Sequence, residues 1–269
     1  MKSVFLNATD DTAFAARLRA ALGLARGFDS HLTCVHVTPF DAIVSGDPFG
    51  GFYSLPTVLE EVSETYEAHR AETEAVLTRE GVTWEWLPYR GQPAHILVDR
   101  SRLADLIVLS FPSVSDHSGR GISLPSDVAV HARCPVLAIG AEDGGFDCFG
   151  KAVVAWNGSA EAGSAIRAAL PMLKKAASVH IVTVTEEETE FPATEASRYL
   201  ALHGVGSELH EWSPVERGVA GAILAAADDL DASYIVMGAY GHSRIREALI
   251  GGVTRIMLEE SSIPLLLAH

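Results

Sequence analysis

Short apolar runs alternate with segments of helical spacing along the whole chain, and the order of these patterns repeats. "KSVFLNATDDTAFAARLRAAL" (residues 2–22) and "KAVVAWNGSAEAGSAIRAAL" (151–170) each combine a basic residue, an apolar run, a polar turn and an Ala/Leu/Arg segment. Three further pairs follow in the same order: 31–39 with 179–187, 90–111 with 217–239, and 134–140 with 263–269. The sequence therefore predicts two halves of similar structure.

The strand segments read as continuous apolar runs, which is typical of parallel strands that helices cover on both faces. We predict an α/β fold made of two tandem, open twisted parallel-sheet domains of Rossmann-like type. The domains cover residues 1–140 and 151–269, and the Gly- and Asp-rich residues 141–150 form the linker. Residues 41–61 are an insertion of the first half, predicted as a loop that covers a site or a domain contact, or packs only on itself.

Composition and charge narrow the class of protein. Apolar residues make up 48% of the 269 positions and charged residues 20%, so the chain can fill a core. A formal net charge of −15 repels nucleic acid and anionic membranes, and we expect neither as a partner. The apolar runs are too short to span a bilayer, and "MKSVFLNATDD" lacks the apolar region of a signal peptide. We expect a soluble, cytoplasmic protein.

Other candidate motifs give little support for a metal site, a phosphate loop or a catalytic triad. The three cysteines lack C-x-x-C spacing and the 11 histidines form no H-E-x-x-H or tight cluster, so we expect reduced thiols and no metal site. "GFDCFGKA" (145–152) resembles a phosphate loop, but its predicted strand follows the glycines and Ala152 replaces the required hydroxyl. "SDHS" (115–118) cannot easily form a catalytic triad, because its members are adjacent in sequence.

Four glycines surround one segment, "GAYGHSRIREALIGGVTRIM" (238–257). Gly238 ends a predicted strand, at the sheet edge where open α/β sheets bind ligands. Gly251 and Gly252 precede a predicted helix with Thr254 in its first turn, and such a helix start binds anions. We interpret the glycines as clearing space for phosphate; a helix cap with a tight turn is the alternative.

The spacing of Gly238, Gly241 and Gly251, G-2x-G-9x-G, resembles the ATP-binding signature of the universal stress protein family. Both halves also follow that family's strand and helix order, so the chain resembles a tandem-domain member. The resemblance implies an adenine-nucleotide alpha-hydrolase-like fold. It also implies two halves related by a pseudo-twofold axis through their last strands, an intramolecular pseudo-dimer. The implied ligand is ATP, or AMP or ADP, with Mg²⁺ as an accompanying ion.

The resemblance also assigns roles to residues of the second half. Asn157 lies near the nucleotide, and Val184 and Met237 line the adenine pocket. The ribose and phosphates are surrounded by Gly238, Gly241, Gly251, Gly252, Val253 and Thr254. His242, Arg244 and Arg255 flank the phosphate end, where a guanidinium can bind phosphate. The alternative is that Arg244 and Arg246 pair with Glu247 and its neighbours on a solvated face. Gly252 occupies the family's usual Ser/Thr position. In the first half Ser110 replaces Gly238 and Ala8 replaces Asn157, so we expect no ATP there.

The function implied is that of a nucleotide-binding stress-response regulator with a protein partner that the sequence does not identify. Two alternatives stay open: a slow ATPase or phosphotransferase, and a scaffold with a vestigial site. No catalytic set can be named, because Asp228, Asp229 and Asp231 precede the strand that leads to the glycines and read as a solvated face. Assembly of two chains into a homodimer is also open.

Overall fold

The structure is a computed structural model that describes residues 1–39, 55–112, 123–141, 146–184, 191–214, 218–241 and 252–269, with the backbone alone over 55–62. The strands are β1 (Ser3–Asn7), β2 (His31–Thr38), β3 (Trp84–Arg90), β4 (Leu106–Ser110), β5 (Val136–Ile139), β6 (Ala152–Ala155), β7 (Val179–Val184), β8 (Glu208–Trp212), β9 (Tyr234–Gly238) and β10 (Leu265–Ala268). The described helices are α1 (Phe14–Phe28), α2 (Leu55–Glu80), α3 (Pro93–Arg100), α4 (Leu124–His131), α5 (Ala160–Leu173), α6 (Ala193–Leu202), α7 (Gly218–Asp229) and α8 (Gly252–Glu260).

All ten described strands form one sheet in the order β3-β2-β1-β4-β5-β10-β9-β6-β7-β8. Neighbouring strands of this sheet run parallel, except for β5 and β10. These two strands run antiparallel, with Leu266 opposite Leu137. Each half has the same internal order, and the two halves meet through their last strands. Equivalent strands of the two halves therefore follow in the same order from either edge of the sheet, as a pseudo-twofold axis requires. The prediction that the last strands associate is confirmed.

Helices cover both faces of the sheet, which explains why the strands read as continuous apolar runs. One apolar layer contains Leu6 and Leu137 from the first half together with Leu266 and helix α5. The opposite layer contains Phe5 and Leu109 together with Leu267 and helix α7. Each layer crosses the junction between the halves, so neither half has a core of its own. The predicted α/β class of parallel sheets is confirmed, with the two sheets joined into one.

The structure corrects one prediction about the insertion. Helix α2 begins at Leu55, so the prediction of a loop over residues 41–61 is wrong for residues 55–61. Pro56 suits this helix start, since proline is tolerated in a first turn, where backbone N–H groups lack intrahelical partners anyway. Residues 40–54 and the "SDHS" segment lie outside the described residues.

The described residues bear on three other predictions. Strand β6 follows the glycines of "GFDCFGKA", which contradicts a phosphate loop, since such a loop follows its strand. The three cysteines carry free thiols, with Cys34 and Cys148 buried. None of the described helices has the length and apolar character that a membrane span requires.

Candidate functional site

A cavity of about 290 Å³ opens at the carboxyl ends of β6, β7 and β9 in the second half. Eight of the predicted site residues line it: Asn157, Val184, Met237, Gly238, Gly241, Gly252, Val253 and Thr254. The remaining two, His242 and Gly251, lie outside the described residues. Parallel strands bring residues that are distant in sequence to one edge, because their carboxyl ends all point the same way. The edge predicted from the glycine spacing is the edge where the cavity lies.

One side of the cavity is aliphatic. Val182 and Val184 come from β7, Val219 and Ile223 from α7, and Met237 from β9. Met237 is 4% exposed and Val184 half-buried, so this wall is fixed by packing on the inner side and open toward solvent on the outer side. Such a wall accepts a flat apolar group, as ligand cavities generally do.

The other side is polar and begins at the start of α8. The helix begins at Gly252, one residue earlier than predicted, and the backbone N–H groups of a first helical turn have no partners within the helix. The hydroxyl of Thr254 lies 3.4 Å from the backbone nitrogen of Tyr240, from which it accepts a hydrogen bond. Tyr240 has a left-handed backbone, with φ of 54°. Free N–H groups and a helix dipole favour an anionic group at this end.

The glycines of this loop have structural roles that the sequence interpretation did not foresee. A Cβ on Gly238 would lie 2.6 Å from the backbone nitrogen of Ala162 and 2.7 Å from the carbonyl carbon of Glu161. Gly238 is thus required by the close approach of α5, a packing role in addition to the predicted role of clearing space for phosphate, which stays a prediction. At Gly252 an added Cβ would meet no described heavy atom within 4 Å. Among the described glycines of the loop, Gly252 is therefore the one at which an added side chain would enter open space.

Glu161 is a cavity residue that the sequence analysis missed. It lies in the first turn of α5, and its Oε2 is buried without a hydrogen-bond partner among the described residues. A Cβ on Gly241 would lie 3.0 Å from this oxygen, so the glycine leaves room for the carboxylate. A buried carboxylate oxygen that lacks a donor is costly unless a ligand supplies one. No glycine or β-strand pattern marks such a residue, because only packing brings Glu161 beneath the loop.

Asn157 and Ser159 shape the approach to α5. The side-chain oxygen of Asn157 accepts a hydrogen bond from the Ser159 nitrogen at 3.1 Å. Ser159 caps the helix by accepting from the Ala162 nitrogen, also at 3.1 Å. Asn157 is exposed and lines the cavity while its oxygen holds the turn. Its described hydrogen bond is therefore structural.

The charged residues predicted near this edge face solvent where they are described. Arg255 donates to Glu259 at 2.7 Å on the exposed side of α8, so its guanidinium forms an ion pair within this helix. Asp228 and Asp229 are exposed at the end of α7, as predicted. Arg244 lies outside the described residues. Among the described residues that line the cavity, Glu161 is the charged one.

The corresponding edge of the first half is closed by a buried arginine. Arg17 in α1 is 1% exposed, and its Nε donates to the Asn7 carbonyl at 3.0 Å. Its two terminal nitrogens donate to both carboxylate oxygens of Asp11, to the Thr9 carbonyl and to the Ser110 hydroxyl, at 2.6–2.9 Å. All five N–H donors of the guanidinium are thereby used.

Ser110 stands where the second half has Gly238, and the difference changes the start of the helix. Alignment of the two "RAAL" segments, residues 19–22 and 167–170, makes Phe14 equivalent to Ala162. Helix α1 begins at Phe14, whereas α5 begins two positions earlier at Ala160. Without a glycine at the strand end the helix start cannot approach, and Arg17 occupies the space. Nearby, His36 and His69 both contact the Ala8 carbonyl at 3.0 Å.

Comparison with known sequences gives matches to part of the chain. The sequence profile of the universal stress protein family matches residues 149–269, which contain the cavity. A universal stress protein of Synechocystis sp. is 33% identical over 131 residues, which cover 45% of this chain and 43% of that protein. The match therefore spans less than half of this curated relative.

Solved structures match the whole chain in fold. A universal stress protein from Archaeoglobus fulgidus superposes with a TM-score of 0.74 at 18% identity, over 99% of this chain and 96% of the other. A putative universal stress protein from Pseudomonas aeruginosa gives a TM-score of 0.61 at 19% identity, over 100% and 93% of the two chains. At these identities the likeness describes the fold of both halves together.

Proposed function

We propose that the chain is a member of the universal stress protein family, because the profile of that family matches residues 149–269, and that the cavity of this half binds an adenine nucleotide. One observation carries the proposal: a single cavity has an aliphatic wall on one side and a glycine-edged helix start on the other. An adenine ring requires the first surface and a phosphate the second.

Within this proposal the base lies against Val184, Ile223 and Met237, and the phosphates lie at Gly252 and Thr254. The backbone N–H groups at the start of α8 donate to phosphate oxygens. This arrangement needs no hydroxyl at position 252, where the family usually has Ser or Thr, because the donors are backbone groups. Mg²⁺ would accompany the phosphates when ATP is bound, since it coordinates phosphate oxygens.

Glu161 supports a ligand with hydroxyl groups between its base and its phosphates. The buried Oε2 can only accept a hydrogen bond while it is ionised, and the described protein offers it no donor. A ribose hydroxyl at this place would donate to it. A phosphate at the same place would be repelled by the carboxylate, so Glu161 also fixes the direction in which the nucleotide lies. We assign Glu161 to the ribose for this reason.

The test is calorimetric titration of the nucleotide-free protein with ATP and Mg²⁺, beside the variant Gly252→Glu. The added side chain enters open space at the start of α8, where a negative charge suits the helix dipole but repels phosphate. Gly206→Glu is the matched control, because a Cβ on Gly206 also meets no described atom within 4 Å and Gly206 does not line the cavity. Thermal denaturation of each variant measures folding separately.

We expect binding near one equivalent in the wild type and in Gly206→Glu. Gly252→Glu should lose at least about tenfold in affinity, or about 1.4 kcal/mol, while keeping its thermal stability. Glu161→Gln, which replaces the acceptor oxygen by a donor, should weaken adenosine as well as ATP. Absence of ATP binding to the wild type, or equal affinity in Gly252→Glu, would refute the proposed site.

A regulatory role follows if the nucleotide favours one arrangement of the elements that it contacts. The cavity joins the start of α5, the carboxyl ends of three strands and the start of α8. A ligand changes contacts with a protein partner only by binding one arrangement more tightly than another. We propose a stress-response regulator on this basis. Its test is whether ATP changes hydrogen exchange in α5 and α8 of the wild type but not of Gly252→Glu.

A further inference from the structure

A second cluster of polar side chains lies at the other end of the same strands. His180 is near the start of β7, and Glu208 and His210 lie on β8, the edge strand of the second half. Their side chains share one face of the sheet, because Glu208 and His210 are two residues apart and His180 pairs in register with Glu208. The nucleotide cavity is at the carboxyl ends of the strands, so the two sites are separate.

The three side chains present one ligand atom each to a common point. His180 Nδ1 lies 3.1 Å from His210 Nε2 and 3.6 Å from Glu208 Oε2. His210 Nε2 lies 3.8 Å from the same carboxylate oxygen. In a tetrahedral zinc site, bond lengths of about 2.0–2.2 Å place neighbouring ligand atoms about 3.3–3.6 Å apart. The measured separations bracket that range, so shifts of a few tenths of an ångström complete the geometry.

The surroundings of His180 favour the form that binds a metal ion. His180 Nε2 lies 2.8 Å from the hydroxyl of Ser178, which accepts a hydrogen bond when Nε2 carries the proton. Nδ1 then turns its lone pair toward the other two ligands. Metal-binding histidines commonly have such a partner on their second nitrogen, because it fixes the tautomer and the ring orientation.

The exposure of the three side chains also suits the binding of a metal ion. The side chain of His180 is 9% exposed, while those of His210 and Glu208 are 27% and 72% exposed. The buried histidine gives a fixed ligand, and the exposed carboxylate lets an ion enter from solvent. Two imidazoles and one carboxylate are a ligand set that suits zinc, with water at the fourth position.

We propose that His180, Glu208 and His210 form a Zn²⁺ site that clamps the edge strand β8 to β7. The site requires no nucleotide. It was not visible in the sequence, because His180 is separated from the other two residues by 28 and 30 positions and only the pairing of β7 with β8 joins them.

The test uses the full chain without an affinity tag, after treatment with a chelator. Co²⁺ is titrated first, because four-coordinate Co²⁺ has visible absorption bands that a weakly bound surface ion lacks, and Zn²⁺ is then added to displace it. The ligand variants are His210→Gln and Glu208→Gln. His31→Gln is the control, because His31 also faces a glutamate from a strand end, with 3.7 Å between its Nε2 and Glu85 Oε1.

We expect one equivalent of Co²⁺ to produce the bands in the wild type and in His31→Gln, and Zn²⁺ to remove them. His210→Gln should lose the bands while its unfolding without metal stays close to that of the wild type. Ser178→Ala should lower metal affinity about 10–100-fold, since it frees the second nitrogen of His180.

Two results would overturn the proposal: no bands in the wild type at several equivalents of Co²⁺, or bands that persist in both His210→Gln and Glu208→Gln. Gly252→Glu, which is designed to prevent nucleotide binding, should bind Co²⁺ as the wild type does. The metal site and the nucleotide site can therefore fail independently.

Discussion

Replacement of Arg17 by methionine tests whether the guanidinium holds the carboxyl edge of the first half together. Methionine keeps an unbranched apolar stem of similar length but has no donor. The change leaves the carbonyl oxygens of Asn7 and Thr9 and the carboxylate of Asp11 without the hydrogen bonds that Arg17 donates. Because Arg17 is 1% exposed, water cannot replace those donors without opening the packing around α1.

The expected loss follows from the groups left without a partner. Each unpaired buried polar group costs about 1–3 kcal/mol, and removal of one partner of a buried ion pair costs about 3–5 kcal/mol altogether. Asp11 is 39% exposed and can regain part of its hydration, so the loss in stability should not exceed the range for a buried ion pair. We expect a loss of about 4 kcal/mol in the free energy of unfolding. For a chain of this size that corresponds to a fall of about 10 °C in Tm.

The assay is urea unfolding followed by tryptophan fluorescence, with Arg26→Met as the control on the same helix. Arg26 pairs with Glu80 at the surface and is 55% exposed, so its replacement should cost less than about 1 kcal/mol. The double variant Arg17→Met with Asp11→Asn removes the unpaired charge and should recover part of the loss. A loss below about 1 kcal/mol for Arg17→Met, or a loss equal to that of Arg26→Met, would refute the reasoning.

Three further predictions concern packing, pH and thiols. Gly238→Ala should cost about 3 kcal/mol in urea unfolding, because its Cβ would lie 2.6 Å from a backbone nitrogen, whereas Gly252→Ala should change stability by less than about 1 kcal/mol. Burial lowers the pKa of His36 from 6.5, so at pH values below 6.5 the unfolded chain binds more protons at this residue than the folded chain does. Tm measured in a pH series should therefore fall as the pH decreases through 6.5, and it should fall less in His36→Gln. Burial raises the pKa of Cys34 to about 12 and of Cys148 to about 11, so native protein should react with a thiol reagent far more slowly than unfolded protein; equal rates would contradict their burial.

The candidate site was predictable where a residue's role depends on its position along a strand or helix. Val184 and Met237 end or nearly end buried strands, and Gly252 opens a helix, so the family resemblance could place all three at one edge of the sheet. Glu161 could not be placed in this way, because its position in the cavity depends on how closely α5 approaches β9. That distance is set by Gly238, for which the sequence interpretation predicted only a role toward the ligand.

The sequence by itself determined the alternation of strands and helices, the repetition of that order in two halves and the strand edge at which the glycines lie. These are local or periodic properties, because apolar spacing and glycine conformation act over a few residues. Tertiary structure alone decided that both cores run across the junction, that Arg17 closes one edge while Glu161 faces the cavity at the other, and that His180 meets His210. Each of these depends on contacts between residues far apart in the chain, and no spacing along the sequence encodes such a distance.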